Sequence, residues 1–125
     1  MRARRGFTLI ELLVVMAIIA TLLAIAAPRY FASLDRARDA SLRESLFVMR
    51  EAIDKYYGDT GRYPTDLPEL VTRRYLRKVP PDPVTASPDT WILVSPPGSE
   101  SEGNVYDVRS GAPGNGADGT AYAEW

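Results

Sequence analysis

From Phe7 to Ala27 the chain offers twenty-one consecutive residues whose only polar side chains are Thr8, Glu11 and Thr21. As a helix this stretch would span roughly 31 Å, the thickness of a hydrocarbon core. An ordinary water-soluble core helix keeps one polar face, and this segment has none. Glu11 is the anomaly. A carboxylate at the centre of a bilayer costs about 2.5–3.5 kcal/mol on insertion scales, so something must offset it. Arg2, Arg4 and Arg5 precede the segment, which by the positive-inside rule leaves that end in the cytoplasm and sends Pro28 onward across the membrane. An ordinary secretory signal ending near "AIAAP", or a plain anchor with Glu11 snorkelling toward water, would explain the apolar run but gives the acid no task.

Composition narrows what the rest of the chain can do. The 125 residues contain neither cysteine nor histidine. Disulfide frameworks, thiolate metal sites, cysteine nucleophiles and the imidazole-based catalytic arrangements are therefore unavailable. The formal charge is −1 with no basic face, against a nucleic-acid partner. These features point to a non-enzyme.

The residues around the start of the apolar run carry a resemblance. "RRGFTLIELLVVMAIIATLLAIAAP" is similar to the type III signal of the type IV pilin and pseudopilin family. There a short basic leader ends in glycine, the next residue is commonly phenylalanine, and an acid stands five residues after the cut. The resemblance implies that residues 1–6 are a leader removed by a prepilin peptidase between Gly6 and Phe7, with methylation of the new amine of Phe7. It also implies a task for Glu11: pairing, during assembly, with the N-terminal amine of a neighbouring subunit. Opposite charges in contact recover much of what an isolated charge loses in a low dielectric.

Beyond Pro28 the pattern becomes helical. Tyr30, Phe31, Leu34, Ala37, Leu42, Leu46, Met49, Ile53 and Tyr56 recur at threes and fours, with a five-residue step after Ala37. This predicts the second, amphipathic half of one long helix through Tyr57, kinked or locally melted at Pro28 and stopped by Gly58 and Gly61. Asp66 followed by Leu67-Pro68-Glu69 reads as a cap and a short helix, and Pro80, Pro81 and Pro83 as extended chain. Residues 91–94 and 105–108 are the convincing strands, separated by a Pro/Gly/Ser loop. Tyr63, Tyr75, Trp91, Tyr122 and Trp125 read as core or domain-closing aromatics. The expected fold is α+β and pilin-like: a leader (1–6), a membrane-spanning and assembly segment (7–28), and a periplasmic domain (29–125) in which a small antiparallel sheet lies on the helix.

"RYPTDLPELV", "LRKVPPDPVT" and the ending "YDVRSGAPGNGADGTAYAEW" resemble the G-type major pseudopilins of type II secretion. What this implies is a structural subunit of an inner-membrane-anchored, periplasmic filament that helps export proteins. Its partners would be further copies of itself, minor pseudopilins, an inner-membrane assembly platform, the prepilin peptidase and membrane lipid. The alternative is a type IV pilin serving adhesion, motility or DNA uptake. The same resemblance implies Ca²⁺ in the C-terminal loop, where Asp107, Ser110 and Asp118 are the available side-chain oxygens. Hard oxygen donors without His or Cys suit calcium. The plain alternative is a glycine-rich turn at Asp118-Gly119.

Overall fold

The computed structural model of the chain describes residues 4–98 and 104–125. Arg2 of the basic leader and the tip of the Pro/Gly/Ser loop fall outside the described residues. A long helix α1 (Leu9–Thr60), a short helix α2 (Leu67–Thr72), strands β1 (Ile92–Val94) and β2 (Asp107–Arg109) and a terminal 3-10 turn (Tyr122–Glu124) follow in order. The chain divides into two units, residues 1–34 and 35–125.

In the first unit the apolar side chains have no cover. Leu9, Met16, Leu22, Ile25, Tyr30 and Phe31 are all exposed. The helix is long and apolar enough to cross a membrane. Two expectations change here. Pro28 lies inside α1, with helical structure on both sides and no local melting. Tyr30, Phe31 and Leu34 are exposed and do not join the core stripe.

In the second unit that stripe is Asp39, Leu42, Leu46, Met49, Ala52, Ile53 and Tyr56. It packs with Leu67 and Leu70 of α2 and with Leu76, Trp91, Val105, Val108, Ala112 and Tyr122. Burying a leucine or isoleucine of this kind contributes about 1.5–3 kcal/mol. The Trp91 indole N–H donates to the Pro80 carbonyl at 2.8 Å, so its polar edge is satisfied inside the core. Tyr63, Tyr75 and Trp125 pack partly buried around it, as domain-closing aromatics should. β1 and β2 pair antiparallel, with Leu93 opposite Val108. Strand β1 starts one residue later than expected, because Trp91 turns into the core, and β2 starts two residues later and ends one later. Ala37 is exposed, and Gly58 lies inside α1. The stop is Gly61, whose φ of 73° is the left-handed conformation that ends helices.

α2 is held by a compact polar knot. Asp66 caps it, accepting the Glu69 backbone N–H at 2.8 Å. Glu69 in turn accepts the Thr65 N–H at 2.7 Å, the Thr65 hydroxyl at 2.8 Å and the Tyr56 hydroxyl at 2.6 Å. The Tyr56 hydroxyl, then the Thr65 donors, hold the Glu69 carboxyl down at about 2 instead of 4.5. A folded-state value below the unfolded one stabilises the fold above the ordinary carboxylate range, and that contribution disappears as pH falls from about 4.5 toward 2. Glu69→Gln should therefore cost about 2 kcal/mol at pH 7 and almost nothing at pH 2. Urea unfolding of both chains in detergent across this pH range measures the convergence; parallel curves would mean that Glu69 stays uncommitted.

Candidate functional site

The N-terminal site is built on the first turn of α1. Thr8 precedes the helix, and its Oγ1 accepts the Glu11 backbone N–H at 3.2 Å. Thr8-Leu9-Ile10-Glu11 is thus a helix start with an acid in its first turn, where the unpaired N–H groups make the helix end partly positive. The family resemblance implies an assembly task for Glu11, and the geometry adds this local one. Glu11 is exposed. Phe7 is 79% exposed and Gly6 lies just before it in irregular chain. A Cβ added at Gly6 would meet nothing within 4 Å, and Gly6 does not have a positive φ. Nothing inside this chain asks for glycine there.

The C-terminal loop is the second site, and its fastenings to α1 come at three heights. Lowest is Asp39, buried on α1. It accepts the Tyr122 hydroxyl at 2.7 Å and the Ala117 N–H at 2.7 Å. The Asp39 carboxylate pushes the Tyr122 phenol up to about 12. Next is Arg43, which donates to Asp118 Oδ2 at 2.7 Å and lies 4.2 Å from the centre of the Trp125 ring. Trp125 closes the circuit, its indole N–H donating to Thr120 Oγ1 at 2.6 Å, while the Thr120 hydroxyl donates to Asp118 Oδ1 at 2.6 Å. The Thr120 hydroxyl and N–H, followed by Arg43, hold the Asp118 carboxyl below its ordinary value. Highest is Arg50, which donates to Asp107 Oδ1 at 2.8 Å, to the Val108 carbonyl at 2.9 Å and to the main-chain oxygen of Trp125.

The three residues named for calcium are thus engaged by different partners. Asp107 faces Arg50, Asp118 faces Arg43, and the Ser110 hydroxyl donates to Asp82 Oδ2 at 2.6 Å. As arranged they do not fit a calcium shell, since two of the three oxygen groups already neutralise a guanidinium. Among the described residues no group of three or more acidic side chains could hold a metal ion. Asp118-Gly119 forms a turn: Thr120 N–H bonds Asp118 Oδ1 at 3.0 Å, and Gly119 has φ 85°.

Sequence reading missed Asp39, Arg43, Arg50, Asp82 and Thr120. For Asp39 a signal existed. Positions 39, 42, 46, 49, 53 and 56 alternate threes and fours without a break, and the five-residue step after Ala37 marked the place where Asp39, not Ala37, held the register. Asp82 and Ser110 are 28 residues apart, and no local pattern links them.

The family described as "Prokaryotic N-terminal methylation motif" matches residues 1–27. Among known proteins, the type II secretion system core protein G of Klebsiella pneumoniae is 30% identical, over 86% of this chain and 86% of its own length. The core protein G of Klebsiella michiganensis is 28% identical over 94% of this chain and 92% of its own. The fimbrial protein EcpC of Eikenella corrodens is 38% identical, but over 52% of this chain and 42% of its own. No solved structure matches the chain. With a methylation motif at its start, an uncovered apolar helix, a small two-stranded α+β fold and similarity to core protein G through most of its length, the chain belongs to the type II secretion system core protein G family, the major pseudopilins.

Proposed function

We propose that this chain is the structural subunit of a type II secretion pseudopilus, polymerising through its N-terminal helix to help drive protein export. The observation that carries this reading is the extent of the similarity. Core protein G relatives align with 86% and 94% of the chain, whereas the fimbrial protein aligns with about half. The type IV pilin alternative therefore takes second place. The role is architectural, not catalytic, in keeping with a chain that lacks histidine and cysteine. The apolar helix holds the subunit in the inner membrane, with the basic leader cytoplasmic and the second unit periplasmic. Further copies of the chain, minor pseudopilins, an assembly platform and the prepilin peptidase are its partners.

Within this reading Gly6 and Phe7 form the processing site. The empty space around Gly6 supports an external reason for glycine: the peptidase, not the fold, requires it. Gly6→Val should leave the melting of the second unit unchanged and abolish maturation. Intact-mass measurement of the membrane form should give the parent chain without residues 1–6 and with one methyl group, and the variant at full length. A parent terminus near Pro28 would instead identify an ordinary signal peptide and defeat the proposal.

A further inference from the structure

We infer that Arg50, assisted by Arg43, is the resident cation of the C-terminal loop, so that closing this loop requires no divalent ion. The oxygen set around Arg50 is the Asp107 carboxylate and two main-chain oxygens, those of Val108 and Trp125. That is donor chemistry suited to a hard cation, and here a guanidinium fills it. Its planar fork directs several N–H groups at once, and its charge does not titrate in the physiological range. Arg50 and Asp107 are only about one-third exposed, with side-chain exposures of 37% and 30%. The pair is thus partly sheltered from the screening that weakens surface pairs.

Arg43 plays the same part seven residues earlier on the same helix face. It takes Asp118, the second carboxylate a metal would need, and covers the Trp125 ring. The third candidate, Ser110, is fully buried and faces Asp82, also fully buried. Its hydroxyl oxygen accepts the Ala112 N–H at 3.1 Å as well. A calcium ion entering the loop would have to displace both guanidinium groups or sit beside them, two positive charges against one set of oxygens. Calcium prefers six to eight oxygen ligands, and the best of these are already bonded to N–H and O–H groups.

The full chain in detergent micelles, followed by near-UV circular dichroism during heating, decides the matter. With millimolar calcium or with EGTA the parent should unfold at the same temperature, and calorimetric titration with calcium should give no binding heat. A rise of the midpoint by about 4 °C or more in calcium, the size expected for 1 kcal/mol of added stability, would overturn the inference. Arg50→Gln removes the cation and leaves the oxygens facing one another. Its midpoint should fall by about 4–8 °C in either solution. An unchanged midpoint would equally overturn the inference. Should the variant not fold, the parent comparison still decides.

Discussion

Glu11→Ala should insert into the membrane and mature like the parent, yet be missing from filaments. Insertion becomes easier, since a carboxylate leaves an apolar segment. The start of α1 keeps its Thr8 cap, because the bond runs from the Glu11 backbone N–H and not from its side chain. Alanine also maintains the helix. On the proposed assembly role of Glu11, what disappears is the negative partner for the Phe7 amine of the next subunit. Two opposite unit charges about 4 Å apart attract by about 4 kcal/mol at an effective dielectric near 20. Losing even 3 kcal/mol of that per contact weakens each addition by more than about a hundredfold. The loss of the acid from the first helical turn adds at most about 1 kcal/mol. Sheared filament fractions, quantified against total mature subunit, measure the effect. Parent-like incorporation would leave Glu11 with the local role at the helix start and nothing more.

Gly111→Ala should be the most damaging small change in the second unit. A Cβ at this position would lie 2.1 Å from the Thr90 carbonyl oxygen and 3.2 Å from its carbon. No side chain can swing away to relieve this, because the obstacle is backbone. Gly111 sits between β2 and the fully buried Ser110 on one side and the buried Ala112 on the other, so any retreat disturbs the Ser110–Asp82 bond. Overpacking of this kind costs about 3 kcal/mol or more, which for a unit of this size lowers the melting temperature by over about 10 °C. Gly114→Ala is the companion. Nothing lies within 4 Å of its Cβ, and only its φ of 89° resists, at about 1–2 kcal/mol. If thermal unfolding ranked the two in the opposite order, the close passage of the loop over β1 would be disproved.

The elements whose causes are local were legible in the sequence. Asp66 caps α2, Gly61 ends α1, and the expected strands at 91–94 and 105–108 overlap the pair that forms, Ile92–Val94 with Asp107–Arg109. The stripe from Leu42 to Tyr56 followed from period alone. Exposed Tyr30 and Phe31 did not, because periodicity records which residues share a face and not whether anything covers that face. Nothing in the sequence pattern sets Arg50 apart from the other charged residues of α1. Its inward role depends on Asp107, 57 residues away, and on Trp125, 75 away. Charged side chains on a helix look alike until the segment that meets them is placed. The N-terminal site was the reverse case: Gly6, Phe7 and Glu11 were legible from their order, and the geometry added the Thr8 cap.

The fastening of the loop at Asp39, Arg43 and Arg50 has a mechanical consequence. These residues span about 16 Å along one side of α1 at 1.5 Å per residue. A pull along the helix loads all three attachments in shear together, whereas a pull outward on Trp125 would peel them one after another. Polar contacts that share a load fail together and late; those that are peeled fail singly and early. A subunit tugged lengthwise in a growing fibre would thus meet its domain in the stronger direction, with the terminal strap acting as a lap joint and not as a zip.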